Sequence, residues 1–377
     1  MTDAFYLTAP KLLRPTGFST GWLRIEQGRI AAIEANPTAD LPLIQLPSGL
    51  LCPGFIDVQV NGGGGELFNT NPSLACLRQM MAAHRPYGTT AMLPTVITDD
   101  LAVMQQAADA VAEAIRLNEP GILGIHFEGP HLSEAKRGCH PLPFLRPLSD
   151  AELALYCRAD VGVVMVTLAP EAVPAAQIRQ LVAAGVVVAL GHSNATAAQV
   201  LAALDAGASG FTHLYNGMST LTSREPGMVG TALADDRAYC GLILDGEHLH
   251  PLSARLAYQA KGAERMVLVT DAMSPVGTDQ SEFYFAGGRV TRQGLKLTND
   301  AGSLAGSVLD MQSAVRYAIT ELGINPLQAL QMASQTPAHW IGAAQLGQLK
   351  AGACADILWL DDQFQVQQSW IAGLATP

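Results

Sequence analysis

Positive charge is scarce in this 377-residue chain: 22 Lys and Arg stand against 33 Asp and Glu, a formal net charge of −11. No run of Lys or Arg interrupts that balance, so the basic footprint of a nucleic-acid-binding surface is excluded. An anion bound by such a chain must be held by a few local donors. Long apolar runs are also missing. None approaches ~18 residues, so no membrane-spanning helix is expected. The N-terminal stretch MTDAFYLTAPKLL has no charged region followed by an apolar one, so no signal peptide is expected either. The six cysteines (Cys52, Cys76, Cys139, Cys157, Cys240, Cys354) are scattered, with no C-x-x-C. In a chain of this length they read as reduced thiols of a cytoplasmic protein, not as a disulfide frame. Finally, no G-x-G-x-x-G follows an apolar segment, which argues against a doubly wound dinucleotide-binding sheet.

What is present has a strong texture. Eight apolar segments recur, each running into polar or glycine residues: FIDVQVNG, TTAMLPTVIT, ILGIHFEGP, VVMVTLAPE, VVVALGHSN, GFTHLYNGM, CGLILDGEH and MVLVTDAM. Ala/Leu-rich helical stretches fit between several of them, including TAAQVLAALDAGA, which opens on a Thr196-x-x-Gln199 capping box. Eight strands alternating with helices predict an α/β fold of the (β/α)8 TIM-like barrel type. The flanks differ. Residues 1–50 and the last 35 residues look like short strands around glycine turns, such as Gln27-Gly28.

In a barrel of this kind the chemistry sits at the C-terminal strand ends. Those ends carry Gln59 and Asn61, Glu128, His192, His213 and Asn216, Asp245 and His248, and Asp271. A lone strand-end histidine is more often structural, but ionisable groups on so many separate strands are hard to read as packing. Glu128, His192 and His213 offer one carboxylate and two imidazoles, a set suited to a catalytic divalent ion with an open position. His126 shares the face of Glu128 one layer deeper and reads as a packing or supporting residue. Asp271 would face the same mouth, where an acid can take a proton from an activated water and later pass it to a leaving group. The first strand poses a puzzle. Ile56, Val58 and Val60 occupy one face, while Asp57, Gln59 and Asn61 occupy the other, followed by four glycines. A core cannot hide such groups unsatisfied, so that face points at solvent or at a site.

The motifs PGFIDVQVNG, HFEGPHL, KRGCHP, VTLAPE, GHSNAT, THLYNGM, REPGMVG, DGEHLH, VTDAM, LAGS and LGQLKAGACADILWL resemble the amidohydrolase superfamily. Within it, they resemble the N-acetylglucosamine-6-phosphate deacetylases. The resemblance implies a small β-sandwich domain formed by both termini (1–53 and 345–377) around a metal-dependent barrel (54–344). It also implies a single-metal branch. Most superfamily members carry His-x-His on the first strand for a second ion, where this chain has Gln59-x-Asn61, and an amide is a much poorer ligand. One divalent ion per chain is then expected on Glu128, His192 and His213, with zinc as the default and iron or manganese as alternatives.

The implied substrate is a phosphosugar, N-acetylglucosamine 6-phosphate, hydrolysed to glucosamine 6-phosphate and acetate. Alternatives are its N-acetylgalactosamine epimer or, in another class, a non-catalytic sugar-phosphate binder. Asp271 and His248 carry the implied catalytic roles. Cys139, His140, Asn216, Gly217, Arg224, Asp245, His248 and the segment Leu304, Ala305, Gly306 match substrate-contacting positions. Arg224 would be the phosphate fork, and His250 could compete with His248. A homodimer is expected, with no nucleic-acid or membrane partner.

Overall fold

The computed structural model describes residues 4–376. Each of the eight apolar segments contains a strand: β1 (Phe55–Val60), β2 (Thr89–Ile97), β3 (Gly124–Glu128), β4 (Val163–Leu168), β5 (Val187–Leu190), β6 (Gly210–Phe211), β7 (Tyr239–Leu242) and β8 (Met266–Leu268). They form one eight-stranded sheet in sequence order, every pairing parallel. All of β1 and all of β2 are buried. Helices cover the outside and side chains fill the inside, so such strands read as nearly continuous apolar runs. The helix Leu101–Arg116 illustrates the cover. It buries Met104, Ala107, Ala108, Val111 and Ala114 on one stripe and starts at an Asp100 cap. The Thr196–Gln199 capping box forms as expected.

The ring closes just beyond the last strand. The backbone N–H of Asp271 donates to Gln59 O, and that of Asn61 donates to Ala272 O, both at 2.9 Å. Val60 and Ala272 form a parallel bridge. This seam brings the end of β1 against the segment after β8, and it positions half of the site described below.

Both ends of the chain build two further sheets. One pairs Ala4–Thr8, Trp22–Glu26, Arg29–Glu34 and Leu43–Gln45. The other includes Lys11–Arg14, Leu50–Pro53, Ile357–Leu360 and Val366–Ile371. They enclose their own buried cluster, with Leu7, Leu23 and Ile25 from one end against Leu349, Ile357 and Trp370 from the other. The Gln27-Gly28 turn has positive φ at both residues (50° and 75°), the conformation a two-residue hairpin favours.

One element was not anticipated. A three-stranded antiparallel sheet (Glu282–Phe285, Gly288–Gln293, Lys296–Asn299) is inserted after β8. It delivers Phe285 and the following Ser303 and Leu304 to the barrel mouth.

Candidate metal centre and acid–base site

Glu128 ends β3, while His192 and His213 each sit two residues beyond β5 and β6. Their donor atoms converge. Glu128 Oε1 lies 2.9 Å from His213 Nε2 and 3.2 Å from His192 Nε2, and the two Nε2 atoms are 3.1 Å apart. Tetrahedral coordination at about 2.0–2.1 Å sets neighbouring donors roughly 3.3 Å apart, so the triangle has the right size for a small divalent ion. The tautomer of His192 also suits a ligand. Its Nδ1 donates to Lys136 O at 2.8 Å, which leaves an Nε2 lone pair facing the triangle. Two imidazole nitrogens and a carboxylate oxygen facing one point form a donor set that a shared cation would suit. Glu128, His140 and His192 also place one ligand atom each within 4.8 Å of one another. We favour His213 over His140 as the third ligand, because its Nε2 lies at 2.9 and 3.1 Å from the donors of Glu128 and His192.

The backbone around these groups is strained. His192, His213 and Asp271 have φ of +47°, +30° and +52°. Non-glycine residues in that region cost about 1–3 kcal/mol each and persist where surrounding structure enforces them. At His192 the enforcement is visible: Glu171 accepts from Ser193 Oγ (2.5 Å) and Asn194 N (2.7 Å). Gly217 packs against the same imidazole at φ +60°, and a Cβ there would lie 2.8 Å from His192 Nδ1.

Charge in the cluster is mutually supported. Burial pushes the Glu128 carboxyl up, but hydrogen bonds and charge from His192 and His213 hold it well below the usual carboxylate range. Burial lowers His213, yet the Glu128 hydrogen bond and charge leave it raised. Asp271 is pushed up to about 6, first by burial and then by the Glu128 charge.

The puzzle of β1 resolves here. Asp57, Gln59 and Asn61 are almost fully buried inside the barrel, and each makes a side-chain hydrogen bond, although Asn61 Oδ1 has no partner among the described residues. Gln59 Nε2 donates to Glu128 Oε2 and to Asp271 Oδ1, both at 3.3 Å. Asn61 Nδ2 donates to Asp271 Oδ1 at 2.6 Å. Two amides therefore supply N–H groups to both of these carboxylates. Beneath them, Asp57 accepts from Thr270 Oγ1 (2.5 Å), Gln59 N (3.2 Å) and Thr270 N (3.3 Å), pinning the seam. None of Gly62–Gly65 lines the cavity. Gly62 instead lies so close to Glu66 O and Ser274 N that a Cβ would fall 2.3 and 2.9 Å from them, which makes it a packing residue.

The supporting histidines sort cleanly. His126 sits below Glu128 in a belt across the barrel, with Nδ1 3.0 Å from Val58 O and Nε2 2.7 Å from Thr167 Oγ1. His248 Nδ1 lies 2.7 Å from Asp245 Oδ2, and Asp245 Oδ1 accepts the backbone N–H groups of Glu247 and His248. His250 caps the helix Pro251–Lys261, so it does not compete with His248.

A cavity of about 230 Å³ opens over the cluster. Of the residues singled out in the sequence, Asn61, Glu128, Cys139, His140, His192, His213, Asn216, Gly217, His248, Asp271, Leu304 and Gly306 line it. Asp245 does not; its carboxylate serves His248. Ala305 is buried behind the wall. Arg224 lies on an exposed loop, outside the lining residues. Ile97, Ile243, Met273, Phe285 and Ser303 line the cavity without having been anticipated. For Phe285 a signal existed: Glu282-Phe283-Tyr284-Phe285 alternates exposed and buried before an Ala286-Gly287 turn. A larger neighbouring cavity of about 600 Å³ shares Ile97 and Phe285 but contains no member of the Glu128–His192–His213 cluster, so the smaller one is the candidate site.

Comparison with known proteins agrees with this geometry. The amidohydrolase family profile matches residues 50–375. An N-acetylgalactosamine-6-phosphate deacetylase of Shewanella sp. (strain ANA-3) is 61% identical over 92% of this chain and 88% of its own. One from Escherichia coli O157:H7 is 39% identical over 97% and 98%. The crystal structure of N-acetylglucosamine-6-phosphate deacetylase from Pasteurella multocida superposes with a TM-score of 0.95 at 34% identity, covering 99% of each chain.

Proposed function

The chain belongs to the amidohydrolase family, and from that premise we propose that it is a single-metal deacetylase of 2-acetamido-2-deoxyhexose 6-phosphates. Of the two epimers, the higher identity to galactosamine-type relatives favours N-acetylgalactosamine 6-phosphate as the preferred substrate, with the gluco epimer second. The observation that carries the reading is the Glu128–His192–His213 triangle facing Asp271, with amides where a second ion would sit.

Glu128, His192 and His213 would hold one divalent ion, zinc by default. Bound there, it would lower the pKa of water and polarise the acetyl carbonyl. Asp271, whose raised proton affinity suits a base at neutral pH, takes a proton as the water oxygen adds to the acyl carbon. It returns that proton to nitrogen as the C–N bond breaks, giving acetate and the amino sugar. His248, held by Asp245, and His140, held by Thr98, orient the sugar and carbonyl. Burial and the neighbouring His192 keep His140 neutral, so it acts as a hydrogen-bonding group.

We take 54–344 as the catalytic unit and 1–53 with 345–377 as its β-sandwich. A cytoplasmic setting is supported by six unpaired cysteines. No helix among the described residues is long and apolar enough to cross a membrane. Arg224 is exposed, and it makes no salt bridge among the described residues. Leu221, Leu252 and Leu256 are exposed at 55%, 65% and 52%. An unpaired guanidinium on an exposed loop that also carries exposed Leu221 suits a homodimer in which Arg224 reaches the partner's substrate phosphate.

Arg224→Ala should therefore raise KM for the 6-phosphate by about ten- to a hundredfold, the worth of one charge-assisted contact. It should leave the unphosphorylated sugar unaffected. Equal losses on both sugars would make Arg224 structural.

The deciding assay is acetate release from the two epimeric 6-phosphates, with and without added metal. The galacto epimer should lead in kcat/KM by about tenfold or more. A gluco preference would restore the other epimer as substrate. Release from neither would end the deacetylase reading.

A further inference from the structure

Two cavities meet at the barrel mouth, and two side chains stand between them. Ile97 ends β2, and Phe285 ends the first strand of the inserted sheet. Both line the cavity of about 230 Å³ over the metal cluster and the neighbouring one of about 600 Å³. They are nearly buried, at 4% and 8% exposure. Phe285 is held in place by its hairpin, pairing with Gly288 across an Ala286-Gly287 turn with φ of +53° and +79°. That turn lines only the larger cavity, so Phe285 marks the hairpin's boundary with the metal site. Pro141, Leu142 and Phe144 extend the apolar lining of the larger cavity. The smaller cavity lies below the ~300–1,000 Å³ usual for small-molecule sites, so a bound sugar phosphate leaves it little spare room.

The deacetylase reading gives the substrate a direction across this mouth. β2 and β6 are four places apart in the eight-stranded ring, so Ile97 lies across from Asn216 and Gly217, which follow β6. A two-fold dimer joins the same patch of both copies, so a partner's Arg224 enters beside this chain's own 216–224 segment. The phosphate then sits on the β6 side. In a hexopyranose, C5 carries C6 with its phosphate and lies directly across the ring from C2, which carries the amide. The trans amide in turn carries the acyl carbon away from C2. With the amide between the metal cluster and Asp271, the acyl chain extends away from the phosphate, toward β2. Resting on that reading, we propose that Ile97 and Phe285 determine acyl length: they close the acyl end of the site against the larger cavity and restrict turnover to short N-acyl groups. Removing the Phe285 ring joins the two cavities and gives a longer acyl chain an apolar place to lie.

The test compares the N-acetyl and N-butyryl forms of the same hexosamine 6-phosphate on metal-loaded wild type, Phe285→Ala and Ile243→Ala. Ile243 is a buried wall residue of the smaller cavity that does not line the larger one, so it serves as the control. Taking the butyryl-to-acetyl ratio of kcat/KM cancels any difference in the fraction of folded or active enzyme. Wild type should favour acetyl by about tenfold or more, since a closed pocket discriminates one methylene by roughly 10–200-fold. In Phe285→Ala the ratio should rise by about tenfold or more, and in Ile243→Ala it should stay at the wild-type value. Calorimetric Kd values in the Asp271→Asn background, where both ligands stay intact, should move the same way. Wild type that uses both substrates equally would overturn the proposal, and so would an equal rise in Ile243→Ala. An unchanged ratio in Phe285→Ala would also overturn it, as expected of a substrate turned end for end with its phosphate toward Arg137 in the larger cavity. Those outcomes leave the deacetylase reading intact, whereas wild type that cleaves neither compound would refute that reading and the proposal with it.

Discussion

Asp271→Asn should leave the divalent ion and the phosphosugar bound while turnover falls by about 10²–10⁴-fold, the usual range for removing acid–base help. The substitution keeps the shape of the side chain and the seam that holds it, since the backbone N–H of Asp271 still reaches Gln59 O. What it removes is the only carboxylate besides Glu128 that lines the cavity among the described residues. The wild-type pH profile follows from the same group. Burial and then the Glu128 charge push Asp271 up to about 6. The base works when deprotonated, so kcat/KM should fall as pH drops through its pKa. A cation among Glu128, His192 and His213 favours the carboxylate and moves this limb to lower pH. The limb should vanish in Asp271→Asn. Turnover within a few-fold of wild type would mean that another group is the base.

Elemental analysis should find one tightly held divalent ion per chain in the wild type and almost none in Glu128→Gln. Altering groups that merely support a ligand costs about 10–100-fold in metal affinity, and loss of a direct carboxylate ligand should exceed that. Thermal unfolding gives a readout independent of turnover. An ion present at about 100 times its Kd stabilises the native state by about 2.7 kcal/mol, so a chelator should lower the wild-type Tm. Glu128→Gln should show no such shift. Two tightly bound ions per active chain would contradict the role given to Gln59 and Asn61, whose N–H groups point at Asp271 and, from Gln59, at Glu128.

Much of this molecule is legible in its sequence because the relevant signals are local. A barrel strand covered on both faces is a short apolar run, and the chemistry follows where the run ends, so β1–β8 and the groups Glu128, His192, His213 and Asp271 can be picked out from spacing alone. The Thr196 capping box and the Gln27-Gly28 turn are local in the same sense. Other features depend on contacts between distant segments. Asn61 and Asp271 are 210 positions apart, and they meet only because the ring closes in one register. That register decides which way the Asn61 amide faces, and it sets the polar face of β1 against Glu128, Thr270 and Asp271. It also gives Gly62 a packing role against Ser274. Asp245 is a strand-end acid in the sequence, but the turn after β7 folds it onto His248. Sequence periodicity determined the strands and the ligand types. Tertiary structure decided which polar groups satisfy one another and which are left for a ligand, because hydrogen-bond partnership is set by distances across the barrel that no local pattern encodes.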